Sequence, residues 1–289
     1  MIYLSTSTDP FVNLALEQQL FETTALPALF LYQNTSCIVI GRAQNPWVEC
    51  DLHFLHTHNI PLLRRQSGGG TVFHDLGNLN FTLFSDKATF NKHRNLELVI
   101  TALSGLGATI AVNARHDLLL QDKKISGSAF RETRTRVFHH GTLLFASDLA
   151  LLRRTLQAPA YTINSKGVAS VKSSVININS IYPKITITSV KAMLIEVFSR
   201  HYGITSPPQL LSQDDAKQTV LTKYQSDAWR FQHTLPFSET LTHQDQSQSI
   251  IEVASGMITH IVTTKPELLK YLNCPYQHFY LERAACKLP

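Results

Sequence analysis

Three consecutive glycines, Gly68-Gly69-Gly70, stand between two stretches that read as strands, PLLRRQ (61–66) and the alternating LNFTLF (79–84). They remove every Cβ over three positions. The backbone there can approach a ligand closely and turn successive N–H groups toward an anion. Alone, such a run is usually a flexible loop or hairpin. Here it is flanked by Arg64-Arg65 before it and by His74-Asp75 and Gly77-Asn78 after it. That setting points to a nucleotide phosphate, with Arg65 placed to face the same anion. No Gly-Lys-Ser/Thr follows, so this is not a P-loop, and G-x-G-x-x-G is absent, so it is not a dinucleotide fingerprint.

The rest of the chain must carry this loop on mixed elements. Asp9-Pro10 reads as an N-cap followed by proline in a first helical turn, with Phe11, Leu14, Ala15 and Phe21 on its core face. ALFLYQ (28–33) and CIVIG (37–41), separated by Asn34-Thr35-Ser36, read as a hairpin. Asn95 is a candidate cap for a helix with Leu96, Val99, Ile100, Leu103 and Leu106 at helical spacing, stopped at Gly107. DLLLQ (117–121) and HGTLLF (140–145) read as strands. A clearer helix begins near Thr188 or Ser189, with Val190, Met193, Leu194, Val197 and Phe198 at i, i+3, i+4, i+7, i+8, and ends at Gly203. Polar THQDQSQS (242–249) reads as a junction. After it come two strand-like stretches around Gly256 and a helical segment from Pro266. Strands and helices mix without a βαβ period, so the expected class is α+β, with mixed or antiparallel sheets flanked by helices. The expected division is a large domain over 1–240 and a small C-terminal α/β domain over 241–289.

With 289 residues, 44% of them hydrophobic, the chain can bury a substantial core, and 16% charged residues with no low-complexity tract argue against long disorder. The 26 Lys and Arg exceed the 21 Asp and Glu, giving +5. That mild excess suits phosphate-bearing ligands or acidic partners. The basic residues are scattered, which argues against nucleic acid as a partner. Cys37, Cys50, Cys274 and Cys286 form no C-x-x-C pair and read as reduced thiols. No segment approaches the length of a membrane span and no leader is visible, so the expectation is a cytoplasmic protein with no membrane partner.

A second stretch carries chemistry: Lys123-Lys124-Ile125-Ser126-Gly127-Ser128-Ala129-Phe130-Arg131, then Phe138-His139-His140-Gly141-Thr142. Forming an acyl-adenylate requires a carboxylate to attack the α-phosphorus of ATP while charge builds on phosphate oxygens. A fixed lysine bridging both groups serves that step, and small residues beside it leave room for an acyl chain. Taken alone, a Lys-Lys pair is more often a surface turn. His139 and His140 are neighbours on a strand and face opposite sides, so they cannot share one metal ion. No dedicated metal site is expected.

Together, RRQSGGGTVFHDLGN, KKISGSAFRETRTRVFHHGTLL and IGRAQNPW resemble the motifs of the lipoate–protein ligase family in order and spacing, and KGVASVKSSVININ (166–179) resembles a further stretch. The similarity runs from about residue 10 to about 200. It implies a biotin/lipoate-ligase-like catalytic domain and two steps. Lipoate and ATP, with Mg2+, give lipoyl-AMP and pyrophosphate; the lipoyl group then moves to a lysine of an acceptor. The acceptors implied are apo lipoyl domains of 2-oxoacid dehydrogenase E2 subunits and the glycine-cleavage H protein. By position, Arg65, Gly70, Thr71, Val72 and Phe73 would contact the nucleotide. Lys124 would be catalytic, holding lipoyl carbonyl and phosphate. Ser67, Ala129 and His140 would line the acyl pocket, and Asn78 and Asp117 would stand on the phosphate–metal or adenosine side.

The family's long ligases have a fuller C-terminal domain than the fifty or so residues after 240. That departure keeps open a lipoyltransferase that accepts preformed lipoyl-AMP. An octanoyltransferase working through a thioester is disfavoured, because residues 51 to 273 contain no cysteine nucleophile. Biotin ligase is disfavoured because its Gly-Arg-Gly-Arg loop is absent. A non-catalytic lipoate- or nucleotide-binding homologue is the reading from another class, and Lys124 speaks against it.

Overall fold

Alternation along one strand organises the molecule. In the computed structural model, which describes residues 1–286, Asn78–Asp86 pairs with Arg136–Leu144 over nine consecutive antiparallel positions. Leu79, Phe81 and Leu83 pack in one apolar cluster, while Asn80 and Thr82, also buried, lie on the opposite face. Both faces are covered, yet one is polar. That face looks into the site.

In chain order the first half comprises β1 (Ile2–Ser5), α1 (Pro10–Thr23), β2 (Ala28–Tyr32), β3 (Cys37–Ile40), α2 (Pro46–Glu49), α3 (Leu52–Thr57), β4 (Leu62–Arg64), β5 (Val72–His74), β6 (Asn78–Asp86) and α4 (Lys92–Ser104). Then come β7 (Ala111–Val112), β8 (Leu118–Leu120), β9 (Lys123–Ser126), β10 (Ser128–Glu132), β11 (Arg136–Leu144), α5 (Leu149–Thr155), β12 (Thr162–Ser165), α6 (Ile187–Tyr202), β13 (Gln209–Leu211) and α7 (Gln218–Gln225). The chain closes with β14 (Phe237–Thr242), β15 (Gln248–Ala254), β16 (Met257–Val262) and α8 (Tyr276–Cys286).

The class is α+β. A mixed six-stranded sheet runs β10-β11-β6-β2-β1-β13, and smaller sheets run β4-β3-β5, β7-β8-β9 and β12-β14-β15-β16. Helices α4 and α6 cover one face of the large sheet through Leu96, Val99, Val190, Leu194 and Phe198. Helix α1 covers the other, packing Val12, Leu16 and Phe21 against Phe30, Phe84 and Phe138. A third cluster centres on Trp47 and joins the β14–β16 sheet and α8 through Phe237, Ile251 and Tyr276.

Local chemistry fixes the helix ends. The Asp9 carboxylate accepts from Phe11 N at 2.7 Å and caps α1, with Pro10 in its first turn. Thr186 and Ser189 form a capping box at the start of α6, and Gly203 closes it in the left-handed region.

Two local expectations fail. The stretches 28–33 and 37–41 do not form a hairpin: β2 pairs with β1 and β6, whereas β3 pairs with β4 and β5 in another sheet. Asn34 is 0% exposed and bonds outward to Asn13 and His74, so the apparent turn is a crossing between sheets. Helix α4 is capped by Asn91, which accepts from Arg94 N, while Asn95 is buried inside it. The helix ends at Ser104, with Gly105 as its cap, ahead of Gly107. Within the polar stretch 242–249, residues 243–247 form the connection from β14 to β15, and its ends are paired strand residues. Cys37 and Cys50 are free and buried, and Cys274 is free and part-buried; the Cys286 side chain lies outside the described residues.

Candidate active site

A cleft of about 280 Å³ opens between the large sheet and the β4-β3-β5 sheet. The small sheet presents Val39, Val72 and His74, neighbours on one face because Val39 pairs with Val72 and Cys37 with His74. The large sheet presents Tyr32, Asn80 and His140. Of the residues expected from sequence, Arg65, Gly70, Thr71, Val72, Asp117, Lys124, Ala129 and His140 all line this one cleft. Ser67 stands just behind it, bonded to His140. Phe73 does not reach it: the ring is buried with Trp47 and Ile38. Asn78 is fully buried and donates to Asn80, so it stands behind a lining residue.

The glycine loop is held from inside. Arg65 is 4% exposed, and its Nε donates to Ser67 Oγ at 2.9 Å, its Nη1 to Val39 O at 3.0 Å, and its Nη2 to Gly68 O at 2.6 Å and Gly70 O at 2.7 Å. Burial brings its pKa down to about 10, so it stays charged at neutral pH. The guanidinium draws the carbonyls of Gly68 and Gly70 inward. Gly41 is required beside it: a Cβ there would stand 2.2 Å from Gly69 O. Arg64, 0% exposed, was not singled out from sequence. It donates to the carbonyls of Arg42 (2.9 Å), Gln44 (2.7 Å) and Arg230 (2.8 Å), and to Thr234 Oγ1 (2.8 Å), tying the 41–44 turn to the 228–232 segment.

The IGRAQNPW segment joins this assembly. Gln44 Oε1 accepts from Gly41 N at 2.8 Å and from Thr71 Oγ1 at 2.9 Å. Ser170, from the 166–179 stretch, accepts from Thr71 N at 2.8 Å and is bound by Glu49 through its backbone N–H at 3.1 Å and a further hydroxyl contact. Three separate motifs therefore meet at Thr71.

Lys124 enters from β9. A tight turn at Gln121-Asp122, both with positive φ, returns β8 into β9, leaving Lys123 exposed and turning Lys124 inward. Its Nζ lies 2.8 Å from Asp117 Oδ1. Asp117 is buried; its Oδ2 accepts from Asn113 Nδ2 at 3.0 Å and faces the half-exposed Arg115 at 3.3 Å. Gly127 makes room for the lysine itself, since a Cβ there would lie 3.1 Å from Nζ. The Lys124 backbone pairs with the 174–176 segment on both sides.

His140 and His139 take opposite faces. His140 Nε2 is 2.7 Å from Ser67 Oγ, and its Nδ1 is 2.9 Å from Glu17 Oε1. Glu17, on α1, was not anticipated. Burial pushes its carboxyl up, but His140, the bonds from His140 and Thr82, and Arg65 outweigh that and leave it below the usual carboxylate range. The signal was available: Glu17 falls three residues after Leu14 and four before Phe21, on the face read as core. His139 is stacked 4.4 Å from Phe130 and bonded to Ser128, and burial, with nearby cations, holds it neutral with a pKa of about 3. Among the described residues no group of three or more His, Cys, Asp or Glu could hold a metal ion, and no helix is long and apolar enough to cross a membrane.

With this geometry in place, comparison decides the family. Residues 9–199 match the profile of the lipoyl protein ligase A/B catalytic domain. The chain belongs to that family. Its fold is similar to that of LipL1 of P. falciparum in complex with lipoate (24% identity, TM-score 0.69, 89% of this chain and 82% of that one). It is similar to lipoate-protein ligase A bound with ATP (23%, TM-score 0.67, 79% and 97%). It is also similar to a bi-partite lipoate protein ligase from Thermoplasma acidophilum, described with its E2 lipoyl domain (23%, TM-score 0.67, 79% and 94%).

Proposed function

We propose that this chain is an ATP-dependent lipoate–protein ligase that makes lipoyl-AMP and transfers the lipoyl group to a lysine of an acceptor lipoyl domain. The observation that carries the reading is that Lys124 and the glycine loop line one cleft of about 280 Å³. Family membership, and the solved relatives described with lipoate, with ATP and with an E2 lipoyl domain, support it.

In the first step a lipoate carboxylate oxygen attacks the α-phosphorus of ATP. The new P–O bond forms as the bond to the β-phosphate oxygen breaks, and pyrophosphate leaves. Lys124 bridges the carboxylate and the α-phosphate, offsetting charge that grows during the displacement. Asp117, 2.8 Å from its Nζ, keeps the lysine aimed. The N–H groups of Gly69 and Gly70 hold the phosphates. Magnesium arriving with ATP would be held by Asp117, a carboxylate that lines the cleft, since one or two carboxylates beside phosphate oxygens are the usual holders of such an ion. Bound there, it would supply charge neutralisation at the phosphate.

In the second step the acceptor amine attacks the acyl carbon, the C–N bond forms, the C–O bond to AMP breaks, and the amine proton passes to solvent. E2 lipoyl domains and the glycine-cleavage H protein are the acceptors we propose, in a reducing cytoplasmic setting that suits the free thiols of Cys37 and Cys50. We take 1–240 as the catalytic unit and 241–289 as the accessory unit. The second reading is a transferase fed with preformed lipoyl-AMP. Incubation with ATP, magnesium, lipoate and an apo lipoyl domain, followed by mass detection, tests both: lipoyl-AMP and lipoylated acceptor are expected. Acceptor modified only when lipoyl-AMP is added selects the transferase.

A further inference from the structure

We propose that Arg42, Arg131 and Lys223, gathered around Trp229 outside the cleft, form the docking surface for the acceptor protein and recognise acidic side chains that flank its target lysine. The inference rests on the acyl-transfer reading above and specifies which surface receives the acceptor.

Separate elements bring the cations together. Arg42 is exposed on the turn after β3, and its backbone N–H donates to Ser67 O at 2.9 Å. Arg131 lies on β10, two residues beyond the cleft-lining Ala129 and therefore on the same face of the strand. Its guanidinium is 5.4 Å from the Phe21 ring of α1. Lys223, on α7, sits 4.1 Å over the Trp229 ring. Its Nζ donates at 3.2 Å to Gln18 Oε1, the atom that also meets the Gln66 amide ahead of the glycine loop. Exposed His233 lies against Trp229, ring centres 4.8 Å apart. The patch thus borders the glycine loop, whose Gly68 and Gly69 are exposed.

Charge and position identify the occupant. The cations crowd one another: burial first, then Arg131 and Arg42, lowers the pKa of Lys223, and burial first, with Arg42 adding to it, lowers that of Arg131. Arg230 beside them is paired with Asp227 at 2.7 Å. Among the described residues Arg42, Arg131 and Lys223 form no ion pair; Glu22 and Glu17 offset part of the repulsion at Arg131 from beyond ion-pair distance. Like charges gathered without counter-ions favour an anion that covers them. None of Arg42, Arg131, Lys223, Trp229 or His233 lines the cleft, so a small ligand seated there leaves them open. A protein surface spans them, and an aromatic ring amid arginines suits the centre of such a contact. An acceptor must also bring a lysine cation to a surface that is already positive, and carboxylates around that lysine offset the repulsion and set its approach.

The affinity of a labelled apo E2 lipoyl domain for the full chain, by fluorescence anisotropy, tests this, with its KM in the transfer step as a second reading. At low salt, Arg42→Glu combined with Lys223→Glu is expected to weaken both at least about tenfold, and Lys223→Arg to leave them within about twofold. Raising salt to ~0.5 M, where the screening length falls to roughly 4 Å, should weaken the unsubstituted protein and narrow the gap. Lipoyl-AMP formation without acceptor should be the same in all three proteins. Equal acceptor affinity and KM in the double variant, or values indifferent to salt, overturn the proposal. Weakened ATP affinity in the double variant gives the cations to the nucleotide and overturns it as well. Acceptor bound through the patch without lipoyl-AMP formation counts against the ligase reading alone. An unsubstituted chain that neither binds nor modifies the domain overturns both.

Discussion

Arg65 and Lys124 line the same cleft and are held in contrasting ways. Arg65 is 4% exposed, with its Nε and both terminal nitrogens donating to a hydroxyl and two carbonyls of its own loop and to the Val39 carbonyl of β3. Lys124 has a side chain 25% exposed and one ionic partner, Asp117. The first cation belongs to the fold: it shapes the glycine loop and has little left to offer a ligand. The second is aimed but not consumed. The expectation from sequence gives both a ligand-facing role; the geometry separates a residue that shapes the glycine loop from one whose amine stays available at the cleft.

Substitution at the two positions should therefore move different quantities. Lys124→Ala is expected to lower adenylate formation by about a thousandfold, the scale of losing a transition-state cation. Its melting temperature should shift by less than about 3 °C, what 1 kcal/mol does in a chain of this size. Arg65→Met should do the opposite to stability. It strips partners from Ser67 and the carbonyls of Val39, Gly68 and Gly70, a loss of about 3 kcal/mol, read by chemical denaturation. Equal destabilisation by the two variants would break the contrast.

Gly69→Val probes the loop that Arg65 shapes. Gly69 has φ +86°, and a Cβ would come within 3.1 Å of Arg65 Nη2. We expect ATP affinity to fall at least about tenfold, because a β-branched residue in that region is strained by ~1–3 kcal/mol and the loop must leave its position. Unchanged nucleotide affinity by calorimetry would remove the loop from the phosphate site. A smaller effect is expected from Asp117→Asn, which leaves Lys124 without an ionic partner. Adenylate formation should slow roughly tenfold, about 1.4 kcal/mol, with lipoate binding unchanged. Weakened lipoate binding with unchanged rate would mean that Asp117 shapes the acyl site instead.

What the sequence made legible divides along the same line. Segments with strong local signals, such as the cap at Asp9, the period of α6 and its Gly203 stop, fold as their residues dictate. The glycine loop and the Lys124 stretch were recognisable because their composition is unusual. The false hairpin at 28–41 shows the limit: two apolar runs with a polar step between them look alike whether they pair with each other or with β6 and β5, more than thirty residues away. Asn95 matched a cap by type, but its neighbour four residues earlier does the capping. Arg64 and Glu17 were passed over because their partners are carbonyls and a histidine far along the chain, which no spacing rule reports.

Acid provides the gentlest way to sharpen the contrast, because buried titrating groups concentrate around the scaffold wall. His74 is held near 3 by burial first, then by Arg65 and His140, and His139 similarly by burial and nearby cations. In the unfolded chain both take up a proton near ~6.5. A folded value below the unfolded one means stability fully present above about pH 6.5 and lost progressively as pH falls toward 3. Glu17, whose folded value lies below the usual carboxylate range, adds its own loss only below about pH 4.5. The melting temperature should thus begin to decline below about pH 6.5, before ordinary carboxylates titrate. His139→Phe, which keeps a ring against Phe130, should flatten that early decline. A melting temperature constant from pH 7 to 5 in the unsubstituted protein would mean these imidazoles accept protons in place, and the packing around His74 and His139 would then be looser than their burial implies.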